Sequence, residues 1–336
     1  MPKLFGKQLT KRQMEQYYGD LTHVMGVREY TYSSGRERGL RVVEVKNGSG
    51  LCYTVLPDRG MDIGELSYKG IPISYCSGAG LASPVLYDRD EFHYTFGGGM
   101  MTTCGLFNAG PACEDNWSYY PTHGNISKMP ASDLCTCGEW RGEEYHLFVS
   151  GKVRQSSLFG ENLTLHRKVE TNAGVNSVTI TDRVENSGFQ TEEIMILYHI
   201  NIGHPVLDST ARFVTNNVHP VPRDTIAAPG MDTREVFSEP VPGYQEQVFF
   251  YESCEEPFAA IENPNLGIRV KISYDRENLP YLVQWKQVGE GEYVLGIEPG
   301  TYPPMGRVYA KEHEGLLAVE PGESKSFRVT IALEDM

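Results

Sequence analysis

The sequence predicts an all-β protein built as a large antiparallel β-sandwich. Apolar and polar residues alternate with a period of two over many short segments, and helical periodicity is rare. The chain also contains 35 glycines and 20 prolines, which supply frequent turns. Many short strands joined by turns are typical of antiparallel sandwiches rather than of α/β folds. We see no repeat and no linker, so a single domain over residues 1–336 is expected.

A short N-terminal helix precedes the expected strands. Thr10 is its predicted cap, Gln13 completes a capping box three residues later, and Gly19 follows its end. Strands are indicated where apolar residues alternate or run between turn residues such as Asn47-Gly48. The clearest of these segments are residues 51–56, 177–186, 293–298 and 327–333.

Composition and charge argue against several kinds of partner. The chain carries 30 Lys and Arg against 44 Asp and Glu, a net charge of −14, without a basic block. This balance disfavours nucleic acid and anionic membranes as partners. Seven irregularly spaced cysteines fit reduced thiols better than a disulfide framework. With neither a signal peptide nor a membrane-length apolar run, we expect a cytoplasmic monomer or homodimer.

No segment predicts a metal or cofactor site. Cys135 and Cys137 lack a second pair at zinc-site spacing. The triplet Gly97-Gly98-Gly99 lacks the Lys-Ser/Thr of a phosphate-binding loop. Three tryptophans, Trp117, Trp140 and Trp285, are too few for an extended stacking platform, although one or two suffice to line a monosaccharide pocket.

Residues 196–205 are the most informative segment for function. With strand alternation, His199 and Asn201 share one face at the end of an otherwise apolar strand, just before a Gly-His-Pro breaker. Histidine exchanges protons most readily near neutral pH, so His199 is a candidate acid or base. Asn201 is a candidate substrate ligand because it lies on the same strand face. A core histidine bonded to the backbone has the same sequence pattern.

A carboxylate ends a second apolar strand about a hundred residues later. Glu298 shares a strand face with Gly296, which leaves room for another group to approach. Pro299 holds Glu298 in an extended conformation. A partly desolvated carboxylate has a raised pKa and is a better general base. A surface glutamate at a strand end is the alternative interpretation.

The loop region over residues 97–132 and three cations supply further candidates. This region is rich in Gly, Asn, Tyr and Pro, and its His123 is suited to bind a hydroxyl or orient a ring. Arg59, Lys286 and Arg307 lie in or next to the segments already described and are candidate substrate-binding cations, because such groups bind hydroxyls or anions. Solvated or ion-paired surface charges explain these three equally well.

These segments together resemble the aldose 1-epimerase (galactose mutarotase-like) superfamily, and within it a poorly characterised bacterial branch. The resemblance rests on the order of three motifs. They are His123-Gly124, residues 178–208 with Tyr198-His199-Ile200-Asn201, and residues 293–301 with Ile297-Glu298-Pro299. It implies the large antiparallel sandwich called a supersandwich, and a monosaccharide or sugar derivative as the partner.

The resemblance also implies a mechanism without cofactor or metal. Glu298 would take the proton of the anomeric hydroxyl, His199 would protonate the ring oxygen, and His123 would orient the sugar. The sequence departs from the family pattern in lacking its arginine segment. The family's substrate-binding aspartate has two possible counterparts, residues 221–224 and 243–247.

Three functions remain open from the sequence. The first is an aldose 1-epimerase-like isomerase, favoured by the His/Glu pair. The second is a non-catalytic carbohydrate-binding protein. The third is a lyase or isomerase that acts on a modified or acidic sugar, because Lys286 and Arg307 are not ligands expected in a mutarotase.

Overall fold

The computed structural model describes residues 1–84, 92–116, 118–313 and 315–336. The strands of the first part are β1 Lys3–Leu4, β2 Lys7–Gln8, β3 Met25–Thr31, β4 Arg41–Asn47, β5 Leu51–Leu56, β6 Asp62–Tyr68, β7 Ile71–Pro72, β8 Tyr75–Cys76, β9 Gly98–Gly99, β10 Met101–Leu106, β11 Cys113–Asp115 and β12 Ser118–Tyr120. Those of the second part are β13 Ala131–Arg141, β14 Glu144–Ser156, β15 Asn162–Asn172, β16 Ser177–Asn186, β17 Glu192–Gly203, β18 Arg212–Thr215, β19 Val218–Pro222, β20 Gln247–Glu252, β21 Phe258–Asn263, β22 Ile268–Tyr274, β23 Tyr281–Val288, β24 Tyr293–Gly300, β25 Leu317–Val319 and β26 Ser324–Asp335. The helices are α1 Lys11–Tyr17, α2 Phe92–Thr95 and α3 Arg307–His313, with 3₁₀ turns at Leu21–His23, Ile126–Lys128 and Ala228–Thr233.

Two large sheets contain most of the strands, and the all-β sandwich predicted from the alternation is confirmed. The first has twelve strands, in the order β19-β20-β23-β24-β17-β10-β6-β5-β4-β3, with β25 beside β17 and β7 beside β6. The second has eight, in the order β13-β14-β15-β16-β26-β22-β21-β18. The pairs at their centres, β17 with β24 and β16 with β26, run antiparallel.

The predicted N-terminal helix is present as α1. Thr10 Oγ1 accepts a hydrogen bond from the Gln13 backbone, and Gln13 Oε1 accepts one from the Thr10 backbone, so the capping box is formed. Buried Met14 anchors the helix in a small apolar cluster with Leu4 and Met25. The described part of the chain has no helix with both the length and the apolar character needed to cross a membrane.

The expected loop region over residues 97–132 is only partly a loop. It contains β10, which lies between β6 and β17 at the centre of the larger sheet. The prediction was wrong there because every residue of β10 is buried on both faces, so the strand shows no polar alternation. Beyond β10 the region continues with β11, β12 and loops, which contribute Phe107 and Ile126 to the main core and His123 to a cavity on the outer face of this sheet.

The main apolar core lies between the two sheets and divides β17 by face, as the alternation predicted. The side chains at alternate positions from Ile194 to Ile202 join this core. Met195 and Leu197 point the other way and pack with Ala310 of α3. Because both faces of β17 are buried, its outer face can carry a site that is shielded from water.

A buried ionic cluster links the two sheets through the core. Arg167 of β15 forms a paired contact with Asp182 of β16, with Nη2 2.6 Å from Oδ2. Its Nη1 also donates to Asp62 Oδ1 at 3.1 Å and to Thr103 Oγ1 at 2.8 Å, both in the larger sheet. Tyr198 of β17 donates to Asp182 at 2.7 Å. The cluster therefore holds β17 on the face that points into the core.

Removing this guanidinium should strongly destabilise the protein. Arg167→Met leaves two buried carboxylates without their cation, and we expect the free energy of unfolding in urea to fall by about 3 kcal/mol or more. Arg141→Met is the matched control, because Arg141 pairs with Glu139 on the surface and should change stability far less. Equal losses in the two variants would contradict a structural role for the cluster.

Candidate active site

Two neighbouring strands place His199 beside Glu298. The pairs Leu197–Gly300 and Ile200–Ile297 set the register of β17 against β24. Positions 199 and 298 are therefore opposite each other, with their side chains on the same face of the sheet. His199 Nε2 lies 3.3 Å from Glu298 Oε1, and the two residues are 6% and 2% exposed.

The carboxylate of Glu298 occupies space that is open only because residue 296 is a glycine. A Cβ at Gly296 would lie 2.3 Å from Glu298 Oε1 and 2.9 Å from Trp285 Cβ, which agrees with the room predicted beside the carboxylate. The contact with His199 is not aligned as a hydrogen bond, and Glu298 Oε1 has no hydrogen-bond partner among the described residues. This buried oxygen is thus able to accept a proton from a ligand.

His123 reaches the same place from the loop that follows β12. Its backbone adopts a positive φ of 57°, and its Nδ1 accepts a hydrogen bond from the Gly110 backbone at 3.3 Å. Neutral His123 therefore carries its proton on Nε2 and is a donor. Its ring centre lies 6.1 Å from that of His199. The three residues that the sequence singled out for chemistry are thus brought together.

These residues line a cavity of about 610 Å³ on the outer face of the larger sheet. Aromatic rings form much of its wall: Phe96 lies 5.1 Å from the His199 ring centre and Trp285 lies 5.2 Å from it. Phe92 stacks on Phe96. The volume suits one small molecule of monosaccharide size with one or two flat apolar faces.

A chain of polar contacts forms another part of the wall. The Trp285 indole donates to Glu246 Oε2 at 2.7 Å. Arg223 lies 2.9 Å from Glu246 and 2.8 Å from Asp224. Both segments that the sequence left open, residues 221–224 and 243–247, therefore contribute a carboxylate to the cavity.

Asn201 lies behind His199 and does not line the cavity, contrary to its expected role as a substrate ligand. Its Oδ1 lies 2.6 Å from His199 Nδ1. Its Nδ2 donates to the carbonyl oxygens of Gly99 at 3.2 Å and His199 at 3.0 Å. The side chain continues the same strand face but is fully buried.

Arg59 also lies outside the cavity lining, although it was expected to bind substrate. Its guanidinium is buried and donates to the carbonyl oxygens of Ala82 at 2.7 Å and Thr95 at 2.9 Å. Arg59 thus holds the end of α2, next to Phe96. Its contribution to the site is through the position of this aromatic wall.

Lys286 and Arg307, the other two predicted substrate-binding cations, form their contacts outside the cavity lining. Lys286 alternates with Trp285 on β23 and so points to the opposite face, where it donates to the carbonyl oxygens of Thr233 and Val236 at 2.9 and 2.7 Å. Arg307 of α3 forms ion pairs with Asp115 and Glu193. Strand alternation explains why Lys286 points away from the cavity. The position of Arg307 depends on the packing of α3 against β11 and β17, which no local pattern reveals.

Phe92 and Phe96, around α2, line the cavity but had no signal as site residues in the sequence. Arg223, after β19, was noted only as part of the candidate segment 221–224. Of the tryptophans, Trp285 lines the cavity, Trp140 packs against Tyr145 in a separate cluster, and Trp117 lies outside the described residues. The described ranges contain no group of three potential metal ligands.

Burial controls the protonation of the site. It lowers the pKa of His199 to about 3, with repulsion from His123 adding to the effect. It also lowers the pKa of His123 to about 4, with a contribution from His93. The pKa of Glu298 is raised well above its usual value by burial and by Glu246. Burial therefore favours the neutral imidazole of His199 and the protonated carboxyl of Glu298.

Solved structures share this fold. A candidate aldose 1-epimerase from Klebsiella pneumoniae aligns with a TM-score of 0.87 at 24% identity, over 92% of this chain and 83% of that one. A galactose mutarotase-like protein from Clostridium acetobutylicum gives 0.65 at 16% identity, over 94% and 100%. A galactose 1-epimerase from Lactobacillus acidophilus gives 0.61 at 14%, over 93% and 99%. These identities support a common fold.

Sequence comparisons identify the family to which the chain is similar. A family model described as Domain of unknown function (DUF4432) matches residues 37–333. No curated protein is significantly similar to the chain in sequence.

The low histidine pKa values can be tested without any ligand. Because the His199 and His123 pKa values are about 3 and 4, their ring protons should not shift in an NMR titration between pH 5.5 and 8, where an ordinary histidine with pKa of about 6.5 titrates. His199→Ala and His123→Ala identify the two resonances. A midpoint near 6.5 for either would show that the site is far more hydrated than its geometry indicates.

Proposed function

The chain belongs to the family described as domain of unknown function DUF4432, and we propose that it is an aldose 1-epimerase, which interconverts the α and β anomers of a sugar. The observation that carries the proposal is the 3.3 Å approach of His199 Nε2 to Glu298 Oε1 inside a sugar-sized cavity. A proton donor and a proton acceptor at such a distance can serve two oxygens of one ring.

The reaction follows from the two groups. Glu298 takes the proton of the anomeric hydroxyl while His199 Nε2 donates a proton to the ring oxygen. The bond between C1 and the ring oxygen breaks, its electrons go to the ring oxygen, and C1 becomes a carbonyl. Rotation about C1–C2 presents the other carbonyl face, and closure reverses the proton transfers. The acid and base therefore exchange roles, and the chemistry needs no cofactor.

One proton on the pair is sufficient for this cycle. In the resting state burial favours neutral His199 and protonated Glu298. Moving this proton from Glu298 to His199 Nε2 gives the imidazolium and carboxylate that the reaction uses, without a change in net charge. Because the two atoms are 3.3 Å apart but not aligned for a hydrogen bond, the transfer requires a small rotation of one side chain. A cavity that excludes water strengthens the interaction of this ion pair with the reacting oxygens.

The wall of the cavity favours an uncharged sugar. Arg223 is compensated by Asp224 and Glu246, and Lys286 and Arg307 are bonded elsewhere. A phosphate or carboxylate on the substrate would meet two carboxylates and one guanidinium, and so more negative than positive charge. The carboxylates of the wall are suited to accept hydrogen bonds from sugar hydroxyls, while Trp285 and Phe96 offer apolar faces.

We also propose that the protein is cytoplasmic. All seven cysteines are free thiols, as is usual in a reducing compartment.

The proposal is tested by NMR of anomeric exchange in a panel of neutral, acidic and phosphorylated aldoses. Glu298→Gln and His199→Ala should each slow exchange of an active sugar by about a hundredfold or more, because each removes one of the two proton-transfer groups. Glu252→Gln on the exposed end of β20 is the control and should exchange as the wild type does.

Other outcomes would decide between the alternatives. If both variants matched the wild type on an active sugar, the assignment of acid and base would be wrong. If several sugars bound but none exchanged, the protein would be a carbohydrate-binding protein. Turnover of only an acidic sugar would contradict the uncharged substrate.

Gly296→Ala should impair the reaction by displacing the carboxylate. The added Cβ would overlap Glu298 Oε1 and crowd Trp285, so we expect anomeric exchange to fall at least about tenfold. Gly19→Ala, whose Cβ would meet open space, is the matched control. Unchanged exchange in Gly296→Ala, measured on folded protein with native circular dichroism, would mean that the position of the carboxylate does not matter.

A further inference from the structure

The side chain of Asn201 has one orientation that satisfies its surroundings. Its Nδ2 lies within hydrogen-bond distance of two carbonyl oxygens, those of Gly99 and His199. Exchanging the amide nitrogen and oxygen would place Oδ1 against both of these acceptors. The two carbonyls therefore determine that Oδ1, and not Nδ2, faces the imidazole of His199.

This orientation determines which nitrogen of His199 carries a hydrogen. Oδ1 can only accept, so His199 Nδ1, 2.6 Å away, must be the donor. In the neutral ring the other nitrogen, Nε2, is then unprotonated, and it is the nitrogen that faces Glu298. The hydrogen bond on one side of a histidine sets the chemistry on the other side.

We propose that Asn201 is a positioning residue that holds His199 in its Nδ1–H tautomer, so that Nε2 alone exchanges protons with Glu298 and the ligand. The inference rests on the proposed function for its catalytic consequence. Its structural part concerns only the ring of His199 and holds whether or not a sugar is turned over.

Several titratable or charged groups surround His199 and share its electrostatic environment. Those on packed elements are Glu298 on β24, His123 in the loop after β12, Arg223 and Asp224 after β19, Glu246 before β20, and His93 on α2. Asn201 is the residue that bonds Nδ1, and the ring contacts from Phe96 and Trp285 bring no charge.

The tautomer is measured directly in protein labelled with ¹⁵N-histidine, without sugar. At pH 7 we expect His199 to show a protonated Nδ1 and an unprotonated Nε2, with His199→Ala identifying its signals. A His199 ring with a protonated Nε2 and an unprotonated Nδ1 would overturn the proposal. Because no substrate is present, this result is independent of the proposed epimerase activity.

Two substitutions separate positioning from mere packing. Asn201→Asp keeps an acceptor toward Nδ1 and adds a negative charge, so the His199 titration midpoint should move up by about one pH unit or more. Asn201→Leu removes the acceptor at similar volume and should lose the fixed tautomer. On an active sugar it should also slow anomeric exchange at least about tenfold.

The chain contains a matched control on the other sheet. Asn172 Oδ1 lies 2.9 Å from His146 Nδ1 in the same kind of pair, outside the cavity. Asn172→Leu should leave both the His199 tautomer and the exchange rate unchanged.

The outcomes distinguish this inference from the proposed function. Equal rates and an unshifted His199 midpoint in Asn201→Asp would overturn the positioning role. If Asn201→Leu fails to fold, the wild-type tautomer and the Asn201→Asp midpoint still decide the question. The expected tautomer in a protein that exchanges no sugar would support the inference while the epimerase proposal fails.

Discussion

The register of β17 is the constraint on which the rest of the site depends. This strand is buried on both faces, with the sandwich core on one side and the cavity on the other. A slip by one residue would move His199 into the core and Tyr198 into the cavity. The pairing with β24 and with β10 on either side prevents such a slip. The backbone hydrogen bonds that form the sheet therefore also fix the side on which His199 lies.

The core and the outer loops then secure this strand from opposite sides. Beneath it, Tyr198 donates to Asp182, which also holds Arg167, so the strand is tied to the smaller sheet through buried charge. Above it, Arg59 fastens the end of α2 and places Phe96 over His199. Arg167, Asp182 and Tyr198 are tolerated at such depth because each is hydrogen-bonded, and these contacts hold β17 and the His199–Glu298 pair in place.

Low dielectric is the physical basis of the acid–base chemistry that we propose for the site. Removing water disfavours charge on His199 and on Glu298, which favours the neutral form of the pair over the ion pair. In the proposed cycle one proton on the pair moves in either direction as the ring opens and closes. The proposed preference for an uncharged sugar rests on the carboxylates of Asp224 and Glu246 in the cavity wall.

The sequence by itself determined the all-β class, the capped first helix and the two faces of β17, because these features are local or periodic. It also marked His123, His199 and Glu298 as candidates, but only the resemblance implied that they meet, and the pairing of β17 with β24 and the loop after β12 decide it. Strand alternation with Trp285 also explains why Lys286 points away from the cavity. The tertiary structure alone decided that Arg59 and Arg307 bond to the protein and that Asn201 lies behind the histidine. It also brought Phe96 and Arg223 into the wall, because contacts between distant segments depend on sheet order and loop packing, which no local pattern encodes.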